Sequence, residues 1–313
     1  MSMSRNAHMI AYLCVLVGVF GHASSEFVAV QTGVVGPELS VWRFFLGGAG
    51  LLGIALAWPT TRDLITPLRR DGVQIVALSV LGMAFGQLLF HWSLDLASVV
   101  QVATVVTCMP VFVVLMNFAI NREGLTAPKI VSGLGAIVSI MILMTDGYLD
   151  QIRGDSDSFP GVIMALTCAL VGAGYIILSK PIIHKYGAIR TIAYTFSIGF
   201  FALWVVVGAI WGIWVNPATL FDRPMGQAVA ILTMGWWNTT IAMVLWLGGL
   251  AALPDIGRAN YLFFLKPVIA AGLAYFFLGD AVTIVQMAAI FVICACVSAE
   301  LFWDHLRAAY TNR

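Results

Sequence analysis

Apolar residues gather into runs long enough to cross about 30 Å of hydrocarbon. The runs fall near residues 8–30, 40–58, 73–93, 97–119, 127–145, 159–180, 190–214, 227–250, 255–278 and 282–303. Short connections rich in Gly, Pro, Asp and Arg separate them, which leaves no room for a soluble domain. The longest polar stretch, 146–158, contains Asp146, Asp150, Asp155 and Asp157 and divides the ten runs five and five. This pattern predicts an all-α polytopic membrane protein with ten transmembrane helices. The expected division is a first five-helix unit over 1–145, an outside linker over 146–158, and a second five-helix unit over 159–313.

Composition agrees with the pattern. Of 313 residues, 61% are hydrophobic and 10% charged, with mean hydropathy +0.96, whereas about a quarter of an ordinary soluble domain is charged. A net charge of +1 gives nucleic acid nothing to bind. Basic residues orient the runs. With the N-terminus in the cytoplasm, the inner segments hold Arg5, Arg62, Arg69, Arg70, Arg122, Lys129, Lys180, Lys185, Arg190, Arg258, Arg307 and Arg313. The outer segments hold Arg153 and Arg223 alone, so both termini are expected inside. Arg5, an apolar run and Gly21-His22-Ala23-Ser24 imitate a cleavable leader. The run's counterpart in the second half argues instead for a retained span.

One offset, 157, relates the halves. It carries Leu96-Ala97-Ser98 onto Leu253-Pro254-Asp255, Pro110-Val111 onto Pro267-Val268, and Glu123-Gly124-Leu125-Thr126 onto Asp280-Ala281-Val282-Thr283. Five helices per half is an odd number, so the halves are expected to insert with opposite topology, as in many secondary carriers. A proline in the fourth run of each half, followed thirteen residues later by an acid, resembles the drug/metabolite transporter superfamily of EamA type, and within it the YddG-like exporters of aromatic and other amino acids. The resemblance covers nearly the whole chain. It implies a bacterial inner-membrane protein that exports small metabolites by alternating access. Sugar-phosphate and nucleotide-sugar carriers of the superfamily tend to carry basic residues in both the fourth and ninth helices. Here Met109 stands at the position matching Lys266, which disfavours a doubly charged anion.

Polar residues inside the runs are the candidate site. Lys266 lies mid-span, where a charge costs about 2.5 kcal/mol or more and is expected to face a wet cavity or a partner. It could attract a substrate carboxylate, or simply hold the bundle. Pro110 and Pro267 are candidate hinges. His22 and Glu26 share a helix face near the outer interface, either as a proton-sensitive pair at the outer mouth or with Glu26 structurally bound to His22 or to Arg43 at similar depth. Gln87 and His91 repeat that spacing in the third run, and Gln101 lies in the fourth. Trp237 and Asn238 in the eighth run, Asn260 and Phe264 in the ninth, and Tyr175 in the sixth complete the expected pocket. An apolar wall with a few polar points orients a small ligand well. The fifth and tenth runs read as scaffold.

Zinc-protease, nucleophile-elbow and phosphate-loop motifs are missing, so no cofactor or metal is expected. Cys14, Cys108, Cys168, Cys294 and Cys296 all lie in apolar runs, and Asp155 and Asp157 sit in an acidic loop. The expected partners are a small amphipathic solute and the lipid bilayer, with the chain working as a monomer on an ion or solute gradient. Rival readings are a nucleotide-sugar or organic-anion antiporter, a multidrug exporter of the same fold, and a membrane-embedded enzyme or sensor.

Overall fold

The computed structural model of the chain describes residues 5–34, 36–97, 99–145, 158–278 and 283–303. Among them the regular structure is helical, with no strand. The elements are α1 (Arg5–Gln31), α2 (Gly36–Ala57), α3 (Ile65–Leu96), α4 (Val99–Thr107), α5 (Met109–Asn121), α6 (Ala127–Thr145), α7 (Phe159–Tyr186), α8 (Ala188–Trp211), α9 (Met225–Ala252), α10 (Ile256–Asn260), α11 (Lys266–Leu278) and α12 (Ile284–Leu301). Nine helical stretches in the described residues are long and apolar enough to cross a membrane. A shorter apolar helix, Ala127–Leu143, lies in the expected fifth run.

Local chemistry sets the ends. Pro160 sits in the first turn of α7, where a missing N–H costs nothing. Gly187, at φ 90°, turns the chain directly into α8. Thr283 caps α12 by accepting from the Gln286 N–H, while the Gln286 side chain accepts from the Thr283 N–H.

Two expected continuous spans are broken. The run at 97–119 is two helices, α4 and α5, with tightened bonds from Cys108 N–H to the Val105 carbonyl (3.1 Å) and from Val111 N–H to the Cys108 carbonyl (3.0 Å). The run at 255–278 is broken by a 3₁₀ segment, Tyr261–Leu265, between α10 and α11. Pro110 and Pro267 are each the second residue of the helix that restarts, so neither deletes a helical bond. The offset of 157 that carries one proline onto the other also carries Cys108 onto Leu265. A second pair of irregularities falls within one residue of the same offset. Within α3 a π turn spans Leu78–Ala84, and within α9 another spans Trp236–Ile241.

The packing has the same symmetry. Helix α1 lies against α9, α3 against α7, α2 against α8, α6 against α12, α5 against α7, and α1 against α11. Exchanging the two halves turns each pair into itself or another of the set. Small residues allow the closest of these approaches. A Cβ on Gly21 would stand 2.5 Å from the Ala242 Cβ, so α1 meets α9 there only because the position is glycine.

Candidate functional site

A cavity of about 770 Å³ of empty volume, counting the space at its mouth, opens between the halves. Its wall takes His22 from α1, Arg43 from α2, Gln87 and Phe90 from α3, Met109 at the α4–α5 break, Tyr175 from α7, Trp246 from α9, and Phe263 and Lys266 at the α10–α11 break. Both broken spans therefore contribute their interruption to the cavity. That is where exposed backbone at membrane depth is tolerable.

Lys266 is 7% exposed, and its ammonium lies 5.9 Å from the centre of the Phe90 ring, within cation–π range. Arg43 is equally buried. Its Nε donates to Thr239 Oγ1 (2.9 Å), Nη1 to Gln87 Oε1 (3.3 Å) and Nη2 to the Asn238 carbonyl (3.4 Å). The guanidinium thus ties α2 to α3 and α9 through neutral oxygens. The Glu26 side chain, its expected structural partner, lies outside the described residues. His22 stands edge-on to Trp246, ring centroids 5.1 Å apart at 81°.

Of the sequence candidates, Lys266, Gln87, Tyr175 and His22 meet at this cavity. Tyr175 donates its hydroxyl to Thr195 Oγ1 (3.2 Å) and keeps its ring on the wall. Others are buried elsewhere. His91 Nδ1 pairs with Ser40 Oγ at 2.5 Å, one turn of α2 before Arg43. Asn238 Nδ2 donates to the Gly21 carbonyl (2.7 Å) and Ser24 Oγ (2.9 Å), and Trp237 Nε1 donates to the same hydroxyl (3.1 Å). These two fasten α9 to α1 rather than walling the cavity. Gln101 is buried in α4 away from the lining.

Phe264 packs edge-on to Tyr261, and its neighbour Phe263 faces the cavity instead. The expectation that Asn260 and Phe264 share a face assumed an α-helix. In a 3₁₀ turn three residues complete the circle, so Asn260 aligns with Phe263. Asn260 itself is wholly buried, and neither side-chain polar atom has a hydrogen-bond partner among the described residues. Sequence reasoning missed Trp246, Phe263 and Met243 on the wall, and saw in Arg43 only a partner for Glu26. The signal for Arg43 was present, since a guanidinium in an apolar run must find several acceptors and one carboxylate does not use all its donors.

Charged side chains of α6, α10 and α12 converge at one end of the bundle. Lys129 Nζ lies 2.8 Å from Asp255 Oδ2, joining α6 to the start of α10. Asp255 also caps α10 by accepting from the Arg258 N–H (2.8 Å). Arg258 Nε lies 3.4 Å from Glu300 Oε1 on α12, and the Tyr261 hydroxyl donates to the Lys129 carbonyl. Glu300, wholly buried, breaks the expectation that the tenth run is scaffold alone. A basic neighbour from another span makes its burial tolerable. At the opposite end Arg223 Nη2 meets Glu38 Oε1 (3.0 Å), and Trp42 Nε1 donates to the same oxygen (3.2 Å). Among the described residues no group of three His, Cys, Asp or Glu is placed to hold a metal ion.

This geometry can be set beside known proteins. The chain is similar to the "Uncharacterized transporter YyaM" of Bacillus subtilis, 23% identical with 94% of each chain covered. It is also similar to the "Probable terminal-alkyne amino-acid exporter" of Streptantibioticus cattleyicolor, 21% identical over 76% of this chain and 80% of that one. A solved crystal structure superposes with a TM-score of 0.77 at 18% identity, covering 99% of this chain and all of the other, which establishes a shared fold. The pattern of one family, described as "EamA-like transporter family", matches residues 9–145 and matches again at 159–299. Two matches on either side of a cavity that both halves line leave one conclusion: this chain is a multi-pass membrane transporter and belongs to the EamA-like transporter family.

Proposed function

We propose that the chain is a secondary carrier of the bacterial inner membrane that exports small metabolites, amino acids with aromatic side chains among them, by alternating access around the central cavity. The arrangement proposed is ten spans in two inverted five-helix repeats, with both termini cytoplasmic. The observation that carries it is the matched pair of broken spans meeting at the cavity, with Lys266 on one break and Met109 on the other. Interrupted spans at corresponding positions of two halves are where secondary carriers build their sites. The offset of the π turns, shared to within one residue, and the exchange symmetry of the packing support the repeat. The relative named as an amino-acid exporter supports the solute class.

The distribution of basic residues puts the Lys129–Asp255–Arg258–Glu300 network at the cytoplasmic end. In this reading the structure is closed inward. Inward opening parts α6 from α10 and α10 from α12, while the prolines and π turns absorb the bend. The wall, largely aromatic and methionine with a few polar points, suits a solute with an apolar side chain and a carboxylate.

Counterflow in proteoliposomes tests this. Vesicles preloaded with unlabelled phenylalanine are expected to accumulate labelled phenylalanine, and vesicles loaded with a phosphorylated sugar are not. Accumulation with the phosphorylated sugar alone would replace the amino-acid reading with the anion-antiporter one. Conversion of the solute during incubation would point to an enzyme.

A further inference from the structure

The cavity wall holds more hydrogen-bond donation than the protein itself consumes. Trp246 is 5% exposed and lines the cavity, yet its buried indole N–H has no acceptor among the described residues. An indole nitrogen can only donate, so no change of tautomer relieves it. The His22 ring packed edge-on against it has a buried Nε2 that also lacks a partner among the described residues, and that nitrogen donates or accepts according to the ring's tautomer. Beside them the Arg43 guanidinium is met by a hydroxyl, an amide oxygen and a backbone carbonyl, with no carboxylate among the described residues. Buried charges are ordinarily paired with opposite charge, and buried donors with acceptors. A tryptophan needed only for its ring could be a phenylalanine. An indole donor left unpartnered and a guanidinium met by neutral oxygens among the described residues line one cavity, and a negatively charged acceptor would serve both.

We propose that the corner formed by Trp246, His22 and Arg43 is the carboxylate subsite of the carrier. Trp246 Nε1 donates to one oxygen of a monocarboxylate, and the Arg43 guanidinium supplies the counter-charge. The apolar remainder of the solute lies along Phe90, Phe263 and Met243, toward Lys266. This rests on the carrier reading above and adds a requirement to it: the solute must present a carboxylate, whereas an α-ammonium is dispensable. Arg43 is held by Thr239 and Asn238 of α9, a helix that also carries Trp246.

Binding to the purified full-length protein, measured by isothermal titration calorimetry, tests the subsite without requiring transport. Phenylalanine and 3-phenylpropionate are expected to bind, and phenylalaninamide, which lacks the carboxylate, is not. Trp246→Phe keeps the ring against His22 and Phe263 and removes only the donor. It is expected to weaken both acids roughly tenfold, the worth of one hydrogen bond to a charged group, at unchanged melting temperature. Arg43→Lys, which keeps the charge and loses the planar fork, is expected to weaken them as well. Equal affinity for phenylalaninamide, tighter binding of phenyl phosphate than of 3-phenylpropionate, or acid binding undiminished in Trp246→Phe would each overturn the subsite. The counterflow assay separates the two claims. If phenylalanine exchanges while the amide binds equally well, the subsite falls and the carrier reading stands. If the acids bind with the expected losses but phenylalanine does not exchange, the amino-acid reading falls and the subsite stands.

Discussion

Asp255 performs two separable jobs at the closed end, and one substitution can divide them. Its Oδ1 accepts from the Arg258 N–H and starts α10, while its Oδ2 meets Lys129 Nζ from α6 at 2.8 Å. Asn caps a helix about as well as Asp, so Asp255→Asn leaves α10 begun and removes the charge. A hydrogen bond to a charged partner is worth about 1.5–3 kcal/mol, and a neutral one about 1. The side chain of Lys129 is 8% exposed and that of Asp255 is 30% exposed, so solvent screens one partner only in part. The closed end should therefore lose roughly 1–2 kcal/mol, which raises the population open at that end about five- to thirtyfold. Cys168, 4% exposed on the cavity wall, is a native reporter. In a background with Cys14, Cys108, Cys294 and Cys296 replaced, a membrane-impermeant thiol reagent is applied to inside-out vesicles. Labelling of Cys168 should accelerate about tenfold in Asp255→Asn. Lys129→Met should accelerate it similarly, and the double variant should add little to either. An unchanged or slower rate, or full additivity, would refute the view that this pair holds the end shut.

Other outcomes follow from the same geometry. Lys266→Met should keep the melting temperature of the purified protein within a few degrees while lowering efflux of labelled phenylalanine from proteoliposomes; parental efflux would make the lysine structural. Gly21→Leu drives a side chain into Ala242 and should cost about 1–3 kcal/mol or more, seen as loss of the monodisperse peak in detergent gel filtration. Gly53→Ala, with nothing within 4 Å of the added carbon, is the control expected to behave as the parent. Thr283→Ala removes half of the capping box of α12 and should lower stability by about 1 kcal/mol, read as a lower melting temperature without altered substrate affinity.

Nine of the ten expected runs return as helices long enough to span among the described residues, and the run at 127–145 as a shorter apolar helix, because hydrophobic length is a property of sequence alone. The shared offset of 157 was legible from two prolines and the acids that follow them. The π turns were not. Leu78–Ala84 has no proline and reads as ordinary apolar helix, since a π turn is set by how a span packs on its neighbours rather than by propensity. Within the site, Lys266 and Gln87 stood out because a charge or an amide in an apolar run demands a reason. Asn238 met the same test for a different reason, hydrogen bonding the α1 backbone. Which residue of Phe263-Phe264 faces inward depended on 3₁₀ rather than α rotation, a difference of some 20° per residue that no pattern of apolar residues records. Trp246 was hidden for the converse reason. An indole among aliphatic residues looks like packing until its N–H is seen to lack a partner among the described residues.

The closing network breaks the likeness of the two halves. Moved by the shared offset, Lys129 falls on Gln286, Arg258 on Gln101, Asp255 on Ser98 and Glu300 on Leu143, so every charge lands on a neutral residue. Whatever shuts the opposite mouth cannot be this ionic clasp repeated. Dissolved salt loosens partly exposed ion pairs and leaves neutral contacts nearly untouched. Salt at one mouth then loosens the Lys129–Asp255–Arg258–Glu300 clasp and salt at the other acts on the Arg223–Glu38 pair, so the two mouths answer ionic strength through different residues and to different degrees.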